Sequence, residues 1–224
     1  MQHKGKLIAI EGTDGSGKST QFRLACARFR DAKNVRCIQF PRYDQPSAAL
    51  LKMYLNGDFG TDPESVNPYA ASTFFAVDRY ASFKTDWGAH YQGGGAVLCD
   101  RYTTSNAIHQ AGKLPKEAQQ GFVSWLFDFE YRLLGLPKPD CVIFLDMPVQ
   151  HALALLQNRQ GDGGDIHERD HAYMAHCRES ARALCDQYGW HKIDCVAHGN
   201  LRAAEDIHRE IYTVIQRVLG ELDA

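Results

Sequence analysis

The residues with the clearest chemical potential are at positions 12–19, Gly-Thr-Asp-Gly-Ser-Gly-Lys-Ser. They match Gly-x4-Gly-Lys-[Ser/Thr] in full, with an apolar run before them and a helical pattern after them. Glycines at such positions let the backbone wrap around phosphates, and successive N–H groups at a helix start point at the anion. In a loop of this kind Lys18 bridges the β- and γ-phosphates of a triphosphate, and the Ser19 hydroxyl ligates Mg²⁺. The predicted donor set is Gly12, Gly15, Ser16, Gly17, Lys18, Ser19 and Thr20. The loop predicts triphosphate binding without naming a reaction, because many functions share it.

Three further clusters bear on the reaction: Phe40-Pro41-Arg42-Tyr43, Phe74 to Arg79, and Asp100-Arg101-Tyr102 with Thr-Thr-Ser-Asn after it. The first and third end apolar runs, and in open α/β sheets the carboxyl ends of strands are where ligands bind. Arg42 and Arg101 are thereby predicted to face the loop, where guanidinium groups suit phosphate through paired, permanently charged donors. Either arginine alone would read as a surface ion pair; their repetition at strand ends favours the phosphate. In the middle cluster, Ala70, Phe74, Val77 and Ala81 form a stripe that reads as core. Ser72, Phe75 and Arg79 share the neighbouring face, Phe75 and Arg79 one turn apart. A ring beside a guanidinium can stack on a base and bond its carbonyl edge, while plain packing of Phe75 fits the pattern as well.

The elements that must position these groups are legible as alternation. Short apolar runs at 7–10, 35–40, 96–99, 141–145 and, more weakly, 191–196 suit strands covered on both faces. Amphipathic segments lie between them: one after Lys18, then 69–87, 116–134, 149–159 and 203–219, with Pro148 placed for a first helical turn. The fold class is therefore α/β, built from right-handed βαβ units. Gly-rich stretches at 56–67 and 160–165 read as surface excursions, the second suited to a lid.

Composition narrows the remaining classes. The 224 residues carry 25 Lys+Arg against 27 Asp+Glu, a balance that argues against a nucleic-acid binder. The seven cysteines include no Cys-x-x-Cys pair and read as reduced thiols of a cytoplasmic protein. The polar start and the brevity of the run at 7–10 predict neither a signal peptide nor a membrane span.

Taken together, Glu11 through Thr20, Phe-Pro-Arg at 40–42, Phe-x-x-x-Arg at 75–79, Asp-Arg-Tyr at 100–102 and Asp-Ile-His-Glu at 165–168 resemble the thymidylate kinase family over nearly the whole chain. The resemblance implies a P-loop kinase fold with a five-stranded parallel sheet flanked by helices, one domain over 1–224, a mobile lid at about 159–170, and a homodimer. It implies transfer of the γ-phosphoryl group of ATP to thymidine monophosphate (dTMP) with Mg²⁺. On that reading Arg42 and Arg101 hold the acceptor phosphate, Phe75 stacks on thymine and Arg79 reaches a thymine carbonyl. Asp14 binds the sugar 3′-hydroxyl, Asp100 joins Ser19 near the metal, Ser105 and Asn106 contact the nucleotide, and Tyr173 packs on the sugar. The chain departs from the family at His109, where relatives place an aromatic that crowds the sugar. It departs again at Gly15, where some carry an arginine; the catalytic charge then falls to Arg159 or Arg169 in the lid.

Competing readings share the loop. Another nucleoside monophosphate is one acceptor. A deoxynucleoside is another and would need a base for its hydroxyl, for which Glu11 is the only obvious nearby group. A nucleotide-dependent switch needs no second nucleotide site, so the paired arginines and the aromatic platform speak against it. His167-Glu168-Arg169-Asp170-His171 matches His-Glu-x-x-His, but nothing else builds a peptide cleft, so a zinc role is not expected.

Overall fold

The computed structural model describes residues 5–160 and 171–221. Strand β1 (Leu7–Gly12) is buried along its whole length and runs into the Gly-rich loop and helix α1 (Lys18–Arg28). Then follow β2 (Val35–Gln39), α2 (Ala49–Asn56), α3 (Pro68–Ser82), α4 (Gly88–Gln92), β3 (Ala96–Asp100), α5 (Thr103–His109) and α6 (Lys116–Phe127). The remainder comprises β4 (Cys141–Asp146), α7 (Val149–Gln160), α8 (His171–Tyr188), β5 (His191–Asp194), a small antiparallel pair β6 (Val196–Ala197) and β7 (Asn200–Leu201), and α9 (Ala204–Leu219).

The five larger strands form one parallel sheet in the order β2-β3-β1-β4-β5. Alternate residues of β1 serve opposite faces. Ile8 and Ile10 pack with Ala25, Phe29, Ile207, Ile211 and Ile215 under α1 and α9, whereas Leu7 and Ala9 join Phe83, Trp87, Tyr91 and Tyr102. Double coverage is why these strands read as continuous apolar runs rather than alternating ones.

All five predicted strands are present. Helices α2, α5 and α8 are not among the expected segments; α5 is buried at every position, so no face of it needed to be polar, whereas α8 does bury one helical stripe through Tyr173, Cys177, Ala181 and Leu184. The long patterns at 69–87 and 116–134 each end in a π-helical turn, Phe83–Trp87 and Asp128–Leu133. The second turn carries Glu130 to full burial while its neighbours Arg132 and Leu133 stay exposed.

Two expectations are corrected. The stripe Ala70, Phe74, Val77 and Ala81 is not the core face of α3: Val77 is 53 % exposed, and the buried positions are Ala71, Ser72, Ala76, Asp78, Arg79 and Ser82. Ion pairs draw the polar side of this helix inward; Val77 is left outside, and Ala70, Phe74 and Ala81 are half-buried, Phe74 against Tyr54 and Phe59. Nor are all cysteines reduced thiols. Cys26 of α1 and Cys37 of β2 are joined in a disulfide, Cα atoms 6.1 Å apart, while Cys99, Cys141, Cys177, Cys185 and Cys195 are free and buried. Thiol titration in denaturant should count five groups before reduction and seven after. Cys37→Ser should cost about 3 kcal/mol of stability for a loop of this size, read from chemical denaturation.

Candidate functional site

Crossovers from β1 and β3 leave the sheet in opposite directions, toward β2 and toward β4, which opens a crevice at their carboxyl ends. A cavity of about 650 Å³ fills it. One end is lined by Thr13 to Thr20 and by Arg23, the other by Phe40, Tyr43, Phe75, Arg79, Asn106 and Gln110, with Arg101, Ser105 and His109 also on its walls.

The loop end follows from backbone geometry. Gly17 caps α1 at φ 80° and no side chain accepts from the first helical turn, so its N–H groups suit an anion. Gly15 sits at φ 72°, and a Cβ there would approach the Ala152 carbonyl oxygen of α7 at 2.5 Å. Position 15 therefore has no room for the arginine that some relatives carry. Lys18 donates to Asp100 at 2.5 Å, both groups buried. Burial lowers the Lys18 pKa, the nearby Arg101 lowers it further, and Asp100 works the other way.

Arg101 is the hinge of the cavity wall. It adopts φ 66°, a left-handed conformation costly for any residue with a Cβ and found clustered at functional sites. Its guanidinium donates to Asp14 at 2.5 Å, to His109 Nε2 at 2.9 Å and to Ser105 at 3.4 Å. Because Arg101 has only donors, Nε2 of His109 accepts, which fixes the ring as the neutral Nδ1–H tautomer. Burial alone would lower the Arg101 pKa, but Asp14, Glu11 and Asp100 outweigh it and the net shift is upward. Beneath it the Glu11 carboxylate accepts from the Tyr102 N–H at 2.9 Å and from the hydroxyls of Thr104 at 2.6 Å and Ser105 at 2.5 Å. Burial raises the Glu11 pKa against the pull of those hydroxyls, Arg101 and Lys18.

At the far end, Phe75 and Arg79 line the cavity from one face of α3, and Asn106 donates to the Ser72 carbonyl at 3.2 Å. Asp14, Gly15, Ser16, Gly17, Lys18, Ser19, Thr20, Ser105 and His109 line it as well. Four expected residues do not. Gly12 lies behind the loop, where a Cβ would meet Ser16 Oγ at 2.4 Å. Arg42 turns to Asp78, bonding its carboxylate at 3.2 Å and Ser47 at 3.2 Å, because a buried Asp78 needs a counter-charge. Asp100 is held by Lys18 rather than opened to the cavity. Tyr173 donates its hydroxyl to the His109 carbonyl at 2.8 Å and supports that residue from behind. The side chain of Arg159, all of Arg169 and most of the His-Glu-x-x-His segment lie outside the described residues; no cluster of three metal-ligating side chains occurs among those described.

Sequence reasoning missed Gln110, whose buried Oε1 has no hydrogen-bond partner among the described residues, though its spacing of one turn from Asn106 was available. It also missed Glu130, the partner of Arg79, which no local pattern connects to the site.

Comparison with known proteins agrees over most of the length. The family model described as thymidylate kinase matches residues 10–211. A thymidylate kinase from Mycobacterium tuberculosis is 37% identical over 170 residues, covering 73% of this chain and 78% of that protein. One from Plasmodium falciparum is 26% identical over 219 residues, covering 97% and 93%. A solved thymidylate kinase structure from Candida albicans superposes with a TM-score of 0.71 at 22% identity, covering 96% and 92%, which supports the fold.

Gly15→Ala should destabilise the loop by about 1–2 kcal/mol from its backbone conformation alone and raise KM for ATP more than KM for the acceptor. Thermal denaturation together with steady-state kinetics in both substrates measures this.

Proposed function

The chain belongs to the thymidylate kinase family and transfers the γ-phosphoryl group of ATP to dTMP, and from that premise we propose how its residues divide the work. The reading is carried by one observation: a single cavity joins the Gly-rich loop to an aromatic and guanidinium wall. ATP phosphates lie along residues 12–20 with Lys18 on the β- and γ-phosphates. Thymine lies between Phe75 and Arg79, with Asn106 and Gln110 at its edge. Asp14 takes the 3′-hydroxyl, and His109 stands beside the sugar.

The acceptor phosphate is already anionic, so its oxygen attacks the γ-phosphorus without a general base while the bond to the β-phosphate oxygen breaks. Catalysis is then positioning and charge neutralisation. Arg101, already on the cavity wall, serves the acceptor phosphate by giving up Asp14. Arg42 reaches it only by exchanging Asp78 and Ser47 for the phosphate. Lys18 leaves Asp100 for the donor in the same manner. With position 15 closed to a side chain, Arg159 and Arg169 are the candidates for charge on the transferred group, carried by a lid at about 159–170 of a single domain over 1–224. Mg²⁺, when bound, would supply neutralisation of the charge that develops as the phosphoryl group moves. Ser19 presents an exposed hydroxyl on the cavity and suits such a hard cation, and Asp100, once free of Lys18, adds a second oxygen donor.

Glu11 weighs against a deoxynucleoside acceptor. Its carboxylate is fully buried and already accepts three hydrogen bonds, so it has no route to a substrate hydroxyl. ADP release measured with ATP–Mg²⁺ and a panel of nucleosides and monophosphates should be fastest with dTMP. Turnover of thymidine but not dTMP would overturn the reading.

We place the enzyme in the cytoplasm from its family and its five buried free thiols, with the Cys26–Cys37 disulfide as a feature uncommon in that compartment; no helix among the described residues is long and apolar enough to cross a membrane. We further propose a homodimer built on the outward faces of α2 and α3, where Leu50, Met53, Val77 and Tyr80 are exposed. Val77→Arg should shift the species seen in light scattering from dimer to monomer mass, and an unchanged dimer would place the interface elsewhere.

A further inference from the structure

Arg79 is among the largest fully buried side chains of the protein, yet it lines the acceptor end of the cavity. A buried guanidinium is costly unless a carboxylate meets it with good geometry. Glu130 does so from the π-helical turn Asp128–Leu133, itself without exposed surface. Its Oε2 accepts from Arg79 Nε at 2.7 Å and its Oε1 from Nη2 at 2.5 Å, a two-point fork that fixes the guanidinium plane. A third donor of Arg79, on Nη1, reaches the Tyr102 carbonyl at 3.5 Å. Thr103 donates to Glu130 Oε2 at 2.7 Å and so holds the carboxylate in turn.

This arrangement uses three of the five guanidinium N–H groups, and the residue they belong to lines the cavity. From it we infer that Glu130 is a positioning residue, orienting Arg79 so that only a carbonyl oxygen satisfies it at the base edge; the inference rests on the reading of that end as the acceptor-base subsite. A keto pyrimidine such as thymine offers the oxygen. An amino pyrimidine such as cytosine presents N–H donors against N–H donors at the same edge. Glu130 touches no substrate and lies behind Arg79, so its effect is on which base is held rather than on the transfer itself. Electrostatics support the arrangement: burial lowers the Arg79 pKa, Glu130 more than offsets it, and the group stays charged.

The test is Glu130→Gln, which keeps shape and removes the charge, assayed with dTMP and dCMP at varied ATP. A charge-assisted bond of this kind predicts a rise of about 10-fold or more in KM for dTMP. The preference for dTMP over dCMP in kcat/KM should fall by a similar factor. KM for ATP should not move, and kcat should stay within about 3-fold, the pattern of lost binding rather than lost chemistry. In an Arg79→Ala background, Glu130→Gln should add nothing to KM for dTMP, because it acts through Arg79. Should Glu130→Gln fail to fold, Thr103→Val leaves both charges in place and should show the same split at smaller amplitude. Wild-type KM and selectivity in the variant, equal losses toward both substrates, or full additivity with Arg79→Ala would each overturn the role. If the wild type itself turned over a different pyrimidine, the acceptor reading would fail separately, and the same KM split on that pyrimidine would still decide Glu130.

Discussion

Glu11 closes strand β1 with no exposed surface, and everything around it is arranged to satisfy its carboxylate. The first residues after β3 supply the partners: the Tyr102 amide and the Thr104 and Ser105 hydroxyls. Those three bonds fasten the start of α5 to the end of the central strand. To deliver them the chain turns at Arg101 through a left-handed conformation, which swings the Arg101 guanidinium over the cavity toward Asp14. One buried acid thus sets the distance between the donor loop and the acceptor wall. A carboxylate left unpaired there would be far more costly than the hydrogen bonds it holds.

The same logic repeats along the site. Lys18 is paired with Asp100, Arg42 with Asp78, Arg79 with Glu130 and Arg101 with Asp14. A cavity built for two polyanions needs cations, and cations packed together repel. Each is held by its own carboxylate. On the proposed division of work, binding is an exchange of partners rather than the capture of bare charges. Arg79 is the exception in kind: its two-point fork is dry and deep, whereas Arg42 and Arg101 retain some exposure. On that proposal the part-exposed arginine pairs are the ones given up to phosphate, and the buried fork is the one kept at a base edge.

Packing against α7 adds a constraint on the donor side. Gly15 touches the Ala152 backbone, so the loop cannot carry its own cationic side chain at that position. Helix α7 ends inside the segment proposed as the lid, about 159–170. Charge excluded from the loop and charge proposed for the lid are therefore linked through one helix.

The sequence was sufficient for the sheet, the donor loop and much of the cavity wall, because those signals are local. Apolar runs, glycine spacing and the one-turn offset between Phe75 and Arg79 depend on nearby residues and the backbone. It misjudged α3, where an apolar stripe at Ala70, Phe74, Val77 and Ala81 looked like core; burial of Asp78 and Arg79 in ion pairs left Val77 exposed and the other three only half-buried. It could not show that Arg42 faces Asp78, that Glu130 lies behind Arg79 51 positions away, or that Cys26 meets Cys37. Those pairings are long-range or set by neighbouring charge, and a carboxylate's partner is chosen by which cation the fold buries beside it. Residue types declared the chemistry; tertiary burial decided which charges are spent on structure and which are left for the substrates.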